Sequence, residues 1–140
     1  MKLIRAKNGD IDNIIELHGE LSPLAAQTGR KVSRAFVKKN LKRAIANNEI
    51  FLFKDKQEVV GFCWVSKSLD HFGNEYSDIK VIVISPQYQN KGYGRKMVKH
   101  IEKYLCSTDI RLTVLNVNRA RGLYRKLGYK PFAEVLRKVK

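Results

Sequence analysis

A chain of 140 residues with a hydrophobic share of 44% has enough material for one core and too little for two, so a single domain is expected. Its 28 Lys and Arg against 13 Asp and Glu leave a formal charge of +15, which is silent about fold and fits either an acidic partner, such as nucleic acid, a nucleoprotein surface or an acidic substrate, or a basic proteome and generic solubility charge. No apolar run approaches the roughly 20 residues that span a bilayer, and Met1 to Lys7 lack a secretory core, so a cytoplasmic chain with no membrane partner is expected.

Lys2 to Ala6 read as a short strand. Asn8-Gly9-Asp10 is a turn, with Asp10 placed to cap a helix running through Glu20. Ile11, Ile14, Ile15 and His18 recur on one face of that helix, which makes His18 a residue at the edge of the core rather than a catalytic one. Ser22-Pro23 interrupts the helix, and Thr28 to Lys31 form a mobile connection. A second amphipathic helix spans about Ser33 to Asn47, with Phe36, Val37, Leu41, Ala44 and Ile45 inward and Lys38, Lys39, Lys42 and Arg43 outward. Ile50 to Lys54 and Val59 to Lys67 form a hairpin across a polar turn, with Phe62, Trp64 and Val65 as core bulk. After a connection at Asp70 to Glu75, Tyr76 to Ile84 form the next strand. Ser85-Pro86 ends it, because proline cannot donate to a ladder. Cys63 and Cys106 are expected to be free thiols, and with His18, His71 and His100 scattered no metal site is inferred.

The next stretch organises the chain. Gln89-Asn90-Lys91-Gly92-Tyr93-Gly94-Arg95-Lys96 follows the apolar run Val81-Ile82-Val83-Ile84 and precedes a helix carrying Met97, Val98, Ile101 and Leu105. A strand, a glycine loop and a helix N-terminus make an anion site, since glycine admits close approach and the first helical turn presents unpaired N–H groups. It is not a Walker A loop, because Gly94 is followed by Arg95 rather than Lys-Ser or Lys-Thr, and a dinucleotide fingerprint would need a third glycine near Met97. Further on, Arg111 to Leu115 read as a strand, about Asn118 to Leu127 as a short helix capped by Gly128, and Phe132 to Val139 as a closing strand. The order of elements is α/β with a mixed sheet.

The spacing Q-x-x-G-x-G of Gln89 to Gly94 resembles motif A of the GNAT acyl-CoA N-acyltransferases. A second segment, Asn116-Val117-Asn118-Arg119-Ala120-Arg121-Gly122-Leu123-Tyr124-Arg125-Lys126-Leu127-Gly128-Tyr129, resembles that family's C-terminal signature, with a shorter spacing between Asn and Ala than its commonest form. The resemblance covers nearly the whole chain. It implies a GNAT-like fold, a mixed central sheet flanked by helices whose middle strands splay around the cofactor. It further implies an acetyltransferase in which a primary amine attacks the thioester of acetyl-CoA directly, with no covalent enzyme intermediate. By the same resemblance, Gln89, Asn90, Lys91, Gly92, Tyr93, Gly94, Arg95 and Lys96 cradle the pyrophosphate, and the backbone of Ile82, Val83 and Ile84 engages the pantetheine. Tyr124 protonates the leaving thiolate, and Asn118 rather than Asn116 faces the site. Asp78 falls where some members carry the base that takes the amine proton, with Glu75 a weaker candidate and a water relay an alternative; Lys80, a cation, would not serve.

No motif names the acceptor, a small-molecule or protein amine. The charge motivates one alternative, an amine associated with nucleic acid such as an aminoacyl-tRNA or a ribosomal protein terminus, and a non-catalytic coenzyme A-binding module is the alternative from another class. The chain is expected to act as a monomer or homodimer.

Overall fold

Apolar alternation along the strands builds the molecule. In the computed structural model, which describes residues 1–140, five strands form one sheet in the order β1-β2-β3-β4-β5. They are β1 (Lys2–Arg5), β2 (Ile50–Asp55), β3 (Glu58–Leu69), β4 (Glu75–Ile84) and β5 (Ile110–Leu112). The first four are antiparallel neighbours and β5 joins β4 in parallel, so the sheet is mixed and the fold α/β. The helices are α1 (Ile11–His18), α2 (Ser22–Gln27), α3 (Arg34–Ala46), α4 (Tyr93–Tyr104) and α5 (Arg121–Lys126).

Successive strand residues point to opposite faces, and each face has its own core. Ile50, Leu52, Phe62 and Val83 pack with Ile14, Leu17, Leu41 and Ile45 of α1 and α3. Phe51, Phe53, Cys63, Val65 and Ile79 pack with Met97 and Ile101 of α4. Burial pushes the Cys63 thiol up to about 12, which makes it a core sulfur rather than a nucleophile. Cys106 is exposed, and both thiols are free. No helix is long and apolar enough to cross a membrane.

The alternation breaks twice, at Val60 of β3, where Phe53 pairs with Gly61 and Lys54 with Val59, and on β4. Trp64 pairs with Val81 while Val65 pairs with Ile79, leaving Lys80 as the extra residue of a bulge. Just there the partnership with β5 ends: the parallel ladder stops at Ile79 opposite Leu112. From Lys80 onward β4 and the chain after Leu112 diverge, and the backbone groups of β4 that point away from β3 have no strand partner.

Several local expectations need correction. Asp10 does not cap α1, because its carboxylate accepts the amide of Lys7 at 2.8 Å and closes the preceding turn instead. Pro23 does not end the first helical segment in a loop. A 3-10 turn at Gly19–Leu21 leads into α2, whose first turn tolerates a residue without an N–H. Phe36 is not inward: α3 begins at Arg34 under the cap of Ser33 and turns the ring outward, 63% exposed. The strand expected at Arg111 to Leu115 is shorter, because the ladder ends at Leu112. The closing strand expected at Phe132 to Val139 does not form. Alternation there puts Glu134 and Lys138 on the face of Phe132 and Leu136; the more apolar face of Ala133, Val135 and Val139 meets no strand, because the sheet ends at the three-residue β5, and Val135 and Val139 stay exposed. The segment is tied down at two points, by Phe132 against the Arg111 guanidinium and by Arg137 donating to the carbonyl of Thr28 at 2.6 Å.

Candidate active site

The divergence after Ile79 opens a cavity of about 530 Å³. One wall is Ile79 to Ile82 of β4 with Leu112 to Leu115, and the other comes from α1, α2 and the start of α3. Asn118 and Tyr124 reach it from the α5 segment. Polar groups are few. The titratable side chains on the wall are His18, Arg30, Lys31, Lys80 and Tyr124, with no Asp or Glu.

Tyr124 is held there by three independent contacts of its helix. The amide of Gly128 donates to Arg125 and that of Tyr129 to Tyr124, at 3.1 and 3.0 Å, which closes the helix end with Gly128 at φ +95°. The Tyr129 hydroxyl donates to Glu102 of α4 at 3.1 Å. Gly94, in the first turn of α4, packs so close to Leu123 that a Cβ there would lie 3.3 Å from its Cδ2. Burial raises the Tyr124 phenol above its ordinary value, so its proton stays on Oη at neutral pH. Asn118 spends its side-chain carbonyl on the amide of Ala120, 2.9 Å away, to start α5; Asn116 is not on the wall.

The glycine loop lies outside this cavity, at the far end of β4. Asn90 and Gly92 take left-handed backbone, with φ +61° and +83°, and Gly92 caps α4. The amides of Asn90, Lys91 and Gly92 donate to no backbone carbonyl, and the amides of the first turn, Tyr93 to Arg95, lack intrahelical partners by geometry. Gln89 folds back, its Nε2 donating to the carbonyl of Ile84 at 2.9 Å, which fixes the loop to the strand. Tyr93 anchors the other side through its hydroxyl on Asp55, at 2.9 Å. The exposed side chains of Lys91, Arg95 and Lys96 surround these free donors. Val83 is buried in the core and Ile84 half-buried, so only their backbone is available.

Asp78 sits just before the cavity on β4, half-buried and opposite Ser66 and Arg111 in the two ladders. Burial raises its carboxyl above the ordinary value, an effect that Lys80 partly offsets. Glu75, at the start of β4, is exposed and pairs with Lys67. His18 is where the outcome departs most from the sequence. Its side chain reaches the cavity, and burial lowers its pKa, so at neutral pH it is an unprotonated imidazole able to take a proton. Its place on a helix face with three isoleucines pointed to the core; only its position at that helix's C-terminal end hinted at an opening.

Residues 46–131 match the family model of the acetyltransferase (GNAT) domain. The chain belongs to the GNAT acetyltransferase family. A mycothiol acetyltransferase of Amycolatopsis mediterranei is 31% identical over 87 residues, 56% of this chain and 29% of that protein. An uncharacterized N-acetyltransferase of Chlorobaculum tepidum is 26% identical over 96 residues, 64% of this chain and 58% of that one. The chain thus spans less than two thirds of the length of the curated relatives it matches. Among solved structures, that of a possible acetyltransferase from Clostridium difficile 630 superposes with a TM-score of 0.79 at 14% identity, covering 99% of this chain and 96% of the other. At that identity the likeness speaks for the GNAT fold, the mixed sheet with helices on both faces.

Proposed function

We propose that residues 1–140 act as one N-acetyltransferase domain that moves an acetyl group from acetyl-CoA to a primary amine. The observation that carries this is the junction of two sites on one strand: free loop amides at the end of β4, and a cavity with a neutral phenol where β4 parts from β5. When bound, acetyl-CoA supplies an acetyl thioester, electrophilic at its carbonyl carbon. The amides of Asn90 to Arg95 fit its pyrophosphate, with Gln89, Lys91, Tyr93 and Lys96 shaping the cradle, because no Cβ crowds Gly92 and cations surround the donors. Along Ile82, Val83 and Ile84 the backbone side of β4 that points away from β3 has no strand partner, with only the Ile84 carbonyl taken by Gln89, and it suits an extended amide-bearing arm between the strands. Tyr124 holds a proton at Oη for a departing thiolate, and Asn118 fixes the turn that presents it. Asp78, one residue before the wall of the cavity on β4, takes the amine proton, its raised pKa making it a stronger base than an ordinary carboxylate.

Two measurements test this reading. Acetyl-CoA at a hundredfold excess over its dissociation constant should stabilise the wild type by about 2.7 kcal/mol, a midpoint shift of several degrees. Tyr124→Phe should keep that shift while kcat on a reactive amine falls by about 10²–10⁴, the usual worth of a positioned acid. Full turnover in Tyr124→Phe, or no shift in the wild type, would sink the proposal. A shift with no turnover on any amine would leave a coenzyme A-binding module.

A further inference from the structure

The cavity wall is selective in its charge. An amine acceptor is itself a cation, yet the wall presents Arg30, Lys31 and Lys80 and no carboxylate to receive it. A polyamine would be repelled, whereas an amine embedded in anionic surroundings would be drawn in. The same polarity continues outside. No acidic residue occurs between Glu20 and Glu49, and from Ser33 at the cavity mouth α3 runs about 20 Å outward at 1.5 Å per residue. Leu41, Ala44 and Ile45 bury one face of it. Arg34, Lys38 and Lys42 succeed one another at four-residue spacing beside Lys39 and Arg43, all exposed. None of them is paired, because the only basic residues in ion pairs are Lys67 and Arg111. Phe36 stands 63% exposed on the cavity rim, an aromatic face next to a row of cations.

We propose that this face of α3 is a docking track for RNA, and that the acceptor is the α-amine of an aminoacyl ester at the RNA's 3′ end. The inference rests on the N-acetyltransferase reading and names its substrate class. Cations without apolar anchors suit a phosphate backbone, and one exposed ring suits a stacked base, the combination that holds single strands. The exocyclic amines of the bases are conjugated with their rings and poorly nucleophilic, so a reactive amine must be appended. The neighbouring ester lowers that amine's basicity, so its ammonium yields a proton more readily than an alkylammonium would to Asp78, which stands beside the wall rather than on it. The amine nitrogen bonds to the acetyl carbon as the carbon–sulfur bond breaks. The ammonium gives up two protons, of which the thiol keeps one, for a net release of one.

The test is fluorescence anisotropy of a fluorescein-labelled oligoribonucleotide against the wild type and Lys38→Glu/Lys39→Glu/Lys42→Glu/Arg43→Glu. Four neutralised phosphates give a slope of roughly −3 in log K against log [KCl], so a fourfold rise in salt weakens wild-type binding about 50-fold. The variant should bind at least about tenfold more weakly, with a thermal midpoint no lower than that of the wild type. Its kcat/KM should fall on an aminoacylated oligoribonucleotide and hold on the matching amino acid methyl ester. Absent RNA binding at low salt, equal binding by the variant, or displacement of the RNA by polyglutamate at equal charge would overturn the proposal, the last in favour of an acidic protein. Any of these with the acetyl-CoA midpoint shift intact overturns only the RNA assignment. Loss of that shift in the wild type strikes the acetyltransferase reading instead.

Discussion

Asp78 joins an unfavourable burial to a proposed task. Its pKa is raised from 3.8 because half-burial penalises the carboxylate, and the hydroxyl of Ser66 across the ladder is itself buried without a partner. A raised carboxyl pKa means that the folded state binds the proton more tightly than the unfolded one. Its stabilising effect is therefore complete below the unfolded pKa and lost as pH rises through the folded value, so at neutral pH the charged side chain opposes folding. Asp78→Asn, which cannot ionise, should melt at or above the wild-type midpoint at pH 7, with the two curves converging near pH 4 and below. As the base is removed, kcat should fall by about 10²–10⁴. A midpoint scan across pH beside a turnover assay checks both. Lower stability at pH 7, or unchanged kcat, would return Asp78 to an ordinary strand carboxylate.

Among the elements, the glycine loop and α4 were the most legible, because every cue there is local: an apolar strand, a proline stop, two glycines and a 3.6-residue apolar period. Gly92 needs its φ of +83° but has empty space where a Cβ would go, so Gly92→Ala pays only for the backbone, about 1 kcal/mol. Gly94 has the reverse problem. Its conformation suits any residue, but its Cβ would press on Leu123, one position from Tyr124. The expected split is a midpoint lowered by a few degrees in Gly92→Ala, against a near-normal midpoint and reduced kcat in Gly94→Ala. Melting curves and steady-state kinetics of the two variants decide it. What the sequence hid depends on distant partners. The ladder between β4 and β5 ends by geometry rather than by any breaker residue, since Thr113 to Leu115 still read as strand. Phe132 to Val139 have strand-forming residues and one largely apolar side, yet whether a strand partner lies beside them is decided elsewhere in the chain, and His18 and Phe36 keep the helical period of a core while lying where α1 to α3 leave a gap.

At the scale of the whole molecule the charge becomes a stability term. With +15 on 140 residues and only Lys67 and Arg111 paired, most cations meet other cations across the surface at distances comparable to the roughly 10 Å screening length of 0.1 M salt. Arg111 is the exception that holds structure, since it donates to Asp70 and Asp109 at 3.1 and 2.9 Å while its guanidinium lies over Tyr76 and Phe132. Partly buried, that cluster is screened far less than the surface charges. Self-repulsion should therefore dominate the salt response. The thermal midpoint should rise by a few degrees as NaCl goes from low ionic strength to physiological and above. Arg111→Leu should melt well below the wild type at every salt concentration and keep the same upward slope. A midpoint that falls with salt would mean attractive pairs outweigh the repulsion. In that case the charge would be serving the fold, and the case for a polyanionic partner on α3 would lose its energetic basis.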